Sequence, residues 1–271
     1  MTGTTPQNAG SSPILDSSGS LEVRLATTPA EVEAAQRLRY DVFYREMSAK
    51  PSPEMAAAGR DFDAYDPICK HLLVINRDDG RVIATYRLMR EDAAARSPTG
   101  FYTAGEYDIA AMLKERAGQR LLELGRSCVE MDFRTGPTMQ LLWRGLLVYL
   151  IRHDVALMFG CASLPGTDPK ALALQLSYLH HFHGTKEAAS VRALPARYVS
   201  MDLMPKDQID AAEALRSLPP LVKGYVRSGA QIGDGAVIDH QFGTTDVLIV
   251  MPVAAIGARY IEHFSTDARA A

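Results

Sequence analysis

The stretch Leu121-Leu122-Glu123-Leu124-Gly125-Arg126-Ser127-Cys128-Val129 constrains this 271-residue chain more than any other. Its apolar residues read as a strand of a covered sheet, yet an acid and a base lie three positions apart within it. An ion taken out of water in such a strand is costly unless it is paired and hydrogen-bonded. The glycine between the two charges marks a β-bulge, which swings side chains off the regular alternation and opens a slot beside the strand. Any fold that accommodates this segment must place a charged site against the middle of a sheet.

The flanking periodicities indicate what kind of sheet. Residues 22–26 read as a short strand, and Pro29 and Glu31 open a helix to about Glu46 with Val32, Ala35, Arg39, Val42 and Phe43 on one side. Residues 50–68 form a loop with room for one short helix. Two strands, 71–76 and 81–90, are joined at Asp78-Asp79-Gly80, a hairpin signal. A helix is expected over 108–117, then the strand 121–129 and a loop over 131–137. The next helix carries Met139, Leu142, Leu146, Leu147, Leu150 and Ile151, and 155–162 is a buried strand. A helix from about Pro169 ends at His183, where Gly184 suits a left-handed cap, and 197–203 returns as a strand. This order predicts an α/β fold, an α+β mixed sheet with an antiparallel hairpin in front. Residues 1–20, rich in Ser, Gly, Thr and Pro, read as a disordered tail ahead of a core over 21–204. Residues 205–271 read as an extension packed on that core. It holds a helix to about Leu218, a turn at Gly233-Asp234-Gly235 and a last strand over 245–251.

Composition removes several classes of function. With 29 Lys+Arg against 32 Asp+Glu the net charge is -3, which leaves no basic footprint for nucleic acid. Cys69, Cys128 and Cys161 have no CxxC spacing, so neither a disulfide framework nor a zinc site is expected, and a reduced, cytoplasmic setting fits. The longest apolar runs are broken by Arg144 and by Pro252, short of the ~20 residues of a spanning helix, and no secretory leader precedes Arg24. His180, His181 and His183 complement a helix C-terminus, so no metal is expected there. Nucleophile-elbow and P-loop motifs are absent, and no His is followed five positions later by Asp.

Four charged patterns remain. In Arg39-Tyr40-Asp41-Val42-Phe43, Arg39 and Phe43 share a helix face, so Arg39 either snorkels or finds a carboxylate. Asp61, Asp63 and Asp66 repel one another unless a cation compensates, although Asp66-Pro67 is also good turn chemistry. Arg87 alternates with Thr85 and Met89 on one strand face and needs a partner, for which Asp63 or Asp66 is a candidate. Glu123 and Arg126 complete the set, followed by Arg134-Thr135-Gly136-Pro137-Thr138 at a helix N-terminus suited to phosphate oxygens.

Together these patterns resemble the GNAT superfamily of N-acyltransferases, in particular its acyl-carrier-protein-dependent ornithine lipid N-acyltransferase family. Acyl-homoserine-lactone synthases are similar in the first half. The shared residues are Arg39 and Phe43, Asp63 and Asp66, Arg87, and Glu123 and Arg126. The lactone synthases usually carry Ser where Gly125 stands, and they lack the run from Leu218 to Arg227. The resemblance covers about residues 21–255.

It implies transfer of a 3-hydroxyacyl chain from acyl carrier protein to the α-amine of L-ornithine, giving lyso-ornithine lipid, with no cofactor beyond the donor's phosphopantetheine. Glu123 would take the amine proton while Arg126 orients it or holds the substrate carboxylate. Asp63 and Asp66 would hold the second ammonium and Arg39 or Arg87 the carboxylate, though these four could equally form a structural network. Amides near Ser127 and Cys128 would bind the thioester oxygen, and Arg134, Gly136 and Thr138 the donor phosphate. The acyl slot is expected between Val129, Phe159 and the helix bearing Leu142 and Leu146. Arg134, Arg144 and Arg152 would meet the carrier protein. Other acceptors (glutamine, glycine, lysine), a lactone synthase using S-adenosylmethionine, and a carrier-protein or lipid-binding module are the alternatives. An amphiphilic product also implies peripheral contact with the inner face of the membrane through the C-terminal segment.

Overall fold

The computed structural model describes residues 14–184 and 191–256. Its centre is one mixed sheet in the order β1-β2-β3-β4-β6-β7-β10-β9-β8-β5. The first four strands are β1 (Asp16–Ser18), β2 (Leu21–Leu25), β3 (Lys70–Asn76) and β4 (Arg81–Arg90). β5 (Tyr107–Asp108), β6 (Arg120–Val129), β7 (Val155–Pro165) and β8 (Arg192–Ala193) follow, then β9 (Gln231–Asp239) and β10 (Thr244–Pro252). Neighbours pair antiparallel except β6 with β7 and β8 with β9. The expected tail does not extend through residue 20, because Asp16–Ser18 pairs with β2. Residues 1–13 lie outside the described part.

The first helix, α1 (Pro29–Tyr40), begins where Thr28 accepts from the Glu31 amide and Glu31 reaches back, with Pro29 at the first turn. It does not run as an α-helix to Glu46. Asp41–Glu46 is a π-helical turn, a form concentrated at functional sites. Four short helices follow, α2 (Pro53–Ala58), α3 (Glu91–Ala94) and α4 (Ala110–Glu115), with α7 (Ala211–Ser217) later. The long α5 (Gly136–Arg152) and α6 (Ala173–His183) cover the back of the sheet with α8 (Pro220–Arg227). A second apolar cluster on the front seals Met89, Leu121, Phe159 and Leu248 beneath residues 101–112.

Several expectations after residue 183 need correction. Gly184 is not left-handed, with φ −68°. It is glycine because a Cβ would lie 2.7 Å from the His180 carbonyl oxygen. Residues 197–203 make only the bridge Val199–Ala236. The expected helix from Pro205 is broken into a 3₁₀ turn (Lys206–Gln208) and α7, and α8 follows. Gly233-Asp234-Gly235 is no turn but part of β9. The expected extension enters the sheet itself, since β10 pairs along nine positions with β7.

The sheet splits between β6 and β7. Parallel pairing ends at Glu123–Phe159, and the facing edges of both strands then run on without each other. At that point Gly160 lets the strands pass closely, because a Cβ there would lie 2.2 Å from the Leu124 carbonyl oxygen. Among the described residues no helix is long and apolar enough to cross a membrane.

Candidate active site

The bulge in β6 is real, but Gly125 does not supply its unusual backbone. Arg126 itself carries the left-handed φ of 53°. The β4–β6 register shifts between Thr85–Cys128 and Arg87–Gly125, so Arg126 and Ser127 both lie across from Tyr86. In a regular strand Glu123 and Arg126 would face opposite sides. The extra residue returns Arg126 to the front, where it shares Asp63 with Arg87.

Those acids come from the loop between α2 and β3. Arg39 is fully buried, with Nε 2.7 Å from Asp61 Oδ2 and Nη2 2.6 Å from Asp66 Oδ2. Arg87 Nη1 donates to both Asp63 oxygens at 2.7 Å and lies 3.1 Å from Asp66 Oδ1. Arg126 stands further off, Nε 3.3 Å from Asp61 and Nη2 3.5 Å from Asp63. Gln36 Nε2 donates to Asp66 Oδ2 at 2.9 Å, and the Tyr44 hydroxyl donates to Asp61 Oδ1 at 3.0 Å. Three guanidinium groups thus meet three carboxylates. Burial pushes the Asp66 carboxyl up, but Arg39 and Arg87 outweigh it and hold the group well below the usual carboxylate range. Of the two roles open to these residues, the geometry makes the network. Arg39 and Asp66 are buried, while Asp63 (21% exposed) and Arg126 (13%) reach solvent.

Glu123 is held separately. The amides of Tyr102 and Thr103, opening the 3₁₀ turn Tyr102–Gly105, donate to Oε2 (2.9 Å) and Oε1 (2.6 Å). Burial pushes the carboxyl up, against the pull of those donors. Aromatic rings wall the space in front. Tyr102 lies 5.7 Å from the Arg87 guanidinium and 5.2 Å from that of Arg126, and Phe242 lies 4.9 Å from Arg126. Phe43 packs edge-on against Phe242 at 5.5 Å, so the β9–β10 hairpin rests on the π-helical turn.

The remaining predicted residues disperse. Ser127 lies half-buried beside the Tyr86 hydroxyl. Cys128 packs with Leu38 and Val42, its thiol pushed up to about 12 by burial. Val129 is packed in the back core with Leu142 and Leu146, while Phe159, also expected at the acyl slot, lines the pocket in the split. A small pocket in the split is lined by Tyr86, Leu124, Met158, Phe159, Gly160, Cys161, Tyr225 and Ile249, and the Tyr86 and Tyr225 hydroxyls bond across it. Arg134 is engaged by Glu46 and the Val129 carbonyl, and Arg144 by Asp16, so two of the three arginines expected to meet a carrier protein are paired. Gly136 starts α5, whose N-cap Thr135 makes no side-chain cap. Thr138 is buried with its hydroxyl 3.2 Å from that of Thr135.

The sequence reading missed Glu106, Asp239 and Asp246, which converge on the same sheet face. Among the described residues His180 and His181 also lie near Asp202, with His181 Nε2 already 3.0 Å from Asp202 and from the Met204 carbonyl.

Glu123 is thus a buried carboxylate seated where two parallel strands part, with a bulge beside it, in a chain that carries a GNAT acyltransferase domain. The model of the acetyltransferase (GNAT) domain matches residues 38–144. L-ornithine N(alpha)-acyltransferase of Brucella abortus (strain 2308) is 50% identical over 96% of this chain and 94% of its own length. The Rhizobium meliloti (strain 1021) enzyme of the same name is 46% identical over 96% and 89%. The chain belongs to the L-ornithine N(alpha)-acyltransferase family. Among solved structures, FeeM, an N-acyl amino acid synthase from uncultured soil microbes, aligns over 91% of this chain and 93% of its own with TM-score 0.48 and 10% identity.

Proposed function

We propose that this acyltransferase transfers a 3-hydroxyacyl chain from acyl carrier protein to the α-amine of L-ornithine, giving lyso-ornithine lipid. The acceptor follows from the names of its relatives. The observation that carries the mechanism is Glu123, a buried carboxylate at the last paired position before the strands part. The α-ammonium gives one proton to Glu123, and the neutral nitrogen attacks the thioester carbonyl. The C–N bond forms first, giving a tetrahedral oxyanion; its collapse breaks the C–S bond, and the departing thiolate takes the second proton from nitrogen. Backbone N–H groups at the bulge around Ser127 and Cys128 stabilise the oxyanion. Arg126, held loosely by two aspartates and reaching solvent, receives the substrate carboxylate. The acyl chain enters the split between β6 and β7, where Tyr225 of α8 borders the path.

Support for a carrier-protein donor is the start of α5, where Gly136-Pro137 replaces a glycine-rich pyrophosphate loop and suits a single phosphate. The enzyme is expected in the cytoplasm, releasing its amphiphilic product at the inner face of the membrane. The test is a pH–rate profile of wild type and Glu123→Gln with acyl carrier protein and coenzyme A thioesters. Wild type shows an acid limb above the ordinary carboxylate pKa, lost in the variant together with about 10²–10⁴ in kcat. Unchanged turnover in the variant removes Glu123 as the base, and equal use of the two donors removes the carrier-protein preference.

A further inference from the structure

The front face holds a second set of acids that the Arg–Asp network does not touch. Glu106 follows the 3₁₀ turn whose first amides hold Glu123, Asp239 ends β9, and Asp246 lies in β10. An oxygen from each lies within 4.8 Å of the other two. Asp239 Oδ1 accepts the Gln241 and Phe242 amides at 2.7 and 2.9 Å, and Asp246 Oδ1 accepts the Thr244 hydroxyl at 2.9 Å. Glu106 is only 3% exposed, and its Oε2 is buried with no hydrogen-bond partner. Arg197 Nη1 stands 3.6 Å from the other oxygen.

Three carboxylates this close repel one another. Burial and neighbouring Glu106 push the Asp246 carboxyl up to about 7, and burial pushes Glu106 up as well. Arg197, at the edge of the cluster, faces only Glu106 among the three. Sheet register brings the acids toward the reaction centre: Asp246 lies two positions from Leu248, which pairs with Cys161, and Cys161 lies two positions from Phe159, which pairs with Glu123.

We propose that Glu106, Asp239 and Asp246 receive the side-chain ammonium of the acceptor amino acid while its α-amine faces Glu123. This rests on the function proposed above and names the residues that select a diamino acid. An ammonium has three N–H donors and no acceptor, one donor for each carboxylate. A divalent cation wants six or more oxygens, and two of these acids already spend one on the β9–β10 hairpin. Asp63 and Asp66, the residues expected for this role, are taken by Arg39 and Arg87. An ammonium held among carboxylates also stays protonated, so it cannot compete as nucleophile.

The experiment compares L-ornithine with L-norvaline, the same skeleton without the terminal amine, using the full chain and one acyl thioester. Wild type, Glu106→Gln and Asp246→Asn are scored by the ornithine-to-norvaline ratio of kcat/KM. The ratio is expected to fall about 10- to 100-fold in each variant, carried by the KM for ornithine. Independently of any variant, ornithine is expected to raise the wild-type melting temperature more than norvaline does. A preserved ratio, equal loss of both substrates, equal melting shifts, or ornithine activity stripped by EDTA and restored by Mg²⁺ each overturns the inference. If wild type fails to acylate ornithine at all, the underlying function falls and this assignment with it, which separates the two failures.

Discussion

At the scale of single residues, a charge in an apolar strand proved the most informative signal in the chain. Glu123, Arg126 and Arg87 were legible because no bland reading explains ions there. Which partner each would take was not legible, since Asp61, Asp63 and Asp66 are equivalent by spacing and only the loop path assigns them. Glu106, Asp239 and Asp246 escaped notice because they come from three distant segments and each resembles an ordinary turn or strand-end residue. Arg39 and Asp66 hold the loop to α1, and this pairing has a measurable cost of removal. Asp66→Asn leaves Arg39 and Arg87 undercompensated, and urea unfolding should show a loss of about 3–5 kcal/mol. The folded carboxyl lies below its unfolded pKa of about 3.9, so its contribution is present above that pH and fades as pH falls toward the folded value. Wild-type stability should therefore drop more steeply below pH ~4 than that of Asp66→Asn. Identical acid unfolding of the two proteins would remove Asp66 from the network's energetics.

Among the elements, those with a clean period of their own were readable, including α1, β3, β4, β6, α5 and β7. The elements that failed are ones whose form is imposed by neighbours. β9 contains Gly233 and Gly235, which interrupt alternation and imitate a turn, yet they form a bulge opposite Leu248 with regular pairing to β10 on either side. The π-helical turn after Tyr40 has no periodic signature, and it turns Phe43 toward Phe242 and Tyr44 toward Asp61. The close approach of β6 and β7 where their pairing ends rests on Gly160. Gly160→Ala would drive a Cβ into the Leu124 carbonyl oxygen, so the strands must separate or the backbone shift. Thermal unfolding should register a loss of about 1–3 kcal/mol or more, with acylation impaired beyond the loss of folded protein. Wild-type stability in this variant would mean the close approach carries no constraint.

For the molecule as a whole, the fold class was legible from the order of elements, but the standing of the C-terminal segment was not. It supplies β10 and β9, and β10 is an inner strand, so residues 205–256 complete the sheet rather than decorate it. A chain ending at residue 204 would leave β7 as a bare, apolar edge, and such edges aggregate. That truncation should give insoluble protein by sedimentation, and a soluble, cooperatively folded product would restore the reading of a separable extension. The same segment brings Phe242, Asp239 and Asp246 to the site, so acceptor recognition and fold completion share one stretch of chain. The central claim concerns what the assembled site makes. It is tested most directly by incubating the full chain with 3-hydroxyacyl-acyl carrier protein and a panel of amino acids, then identifying the acylated amine by tandem mass spectrometry. The account predicts ornithine acylated once, at its α-nitrogen. Preferential acylation of glutamine, glycine or lysine, or an acyl lactone formed from S-adenosylmethionine, would contradict it.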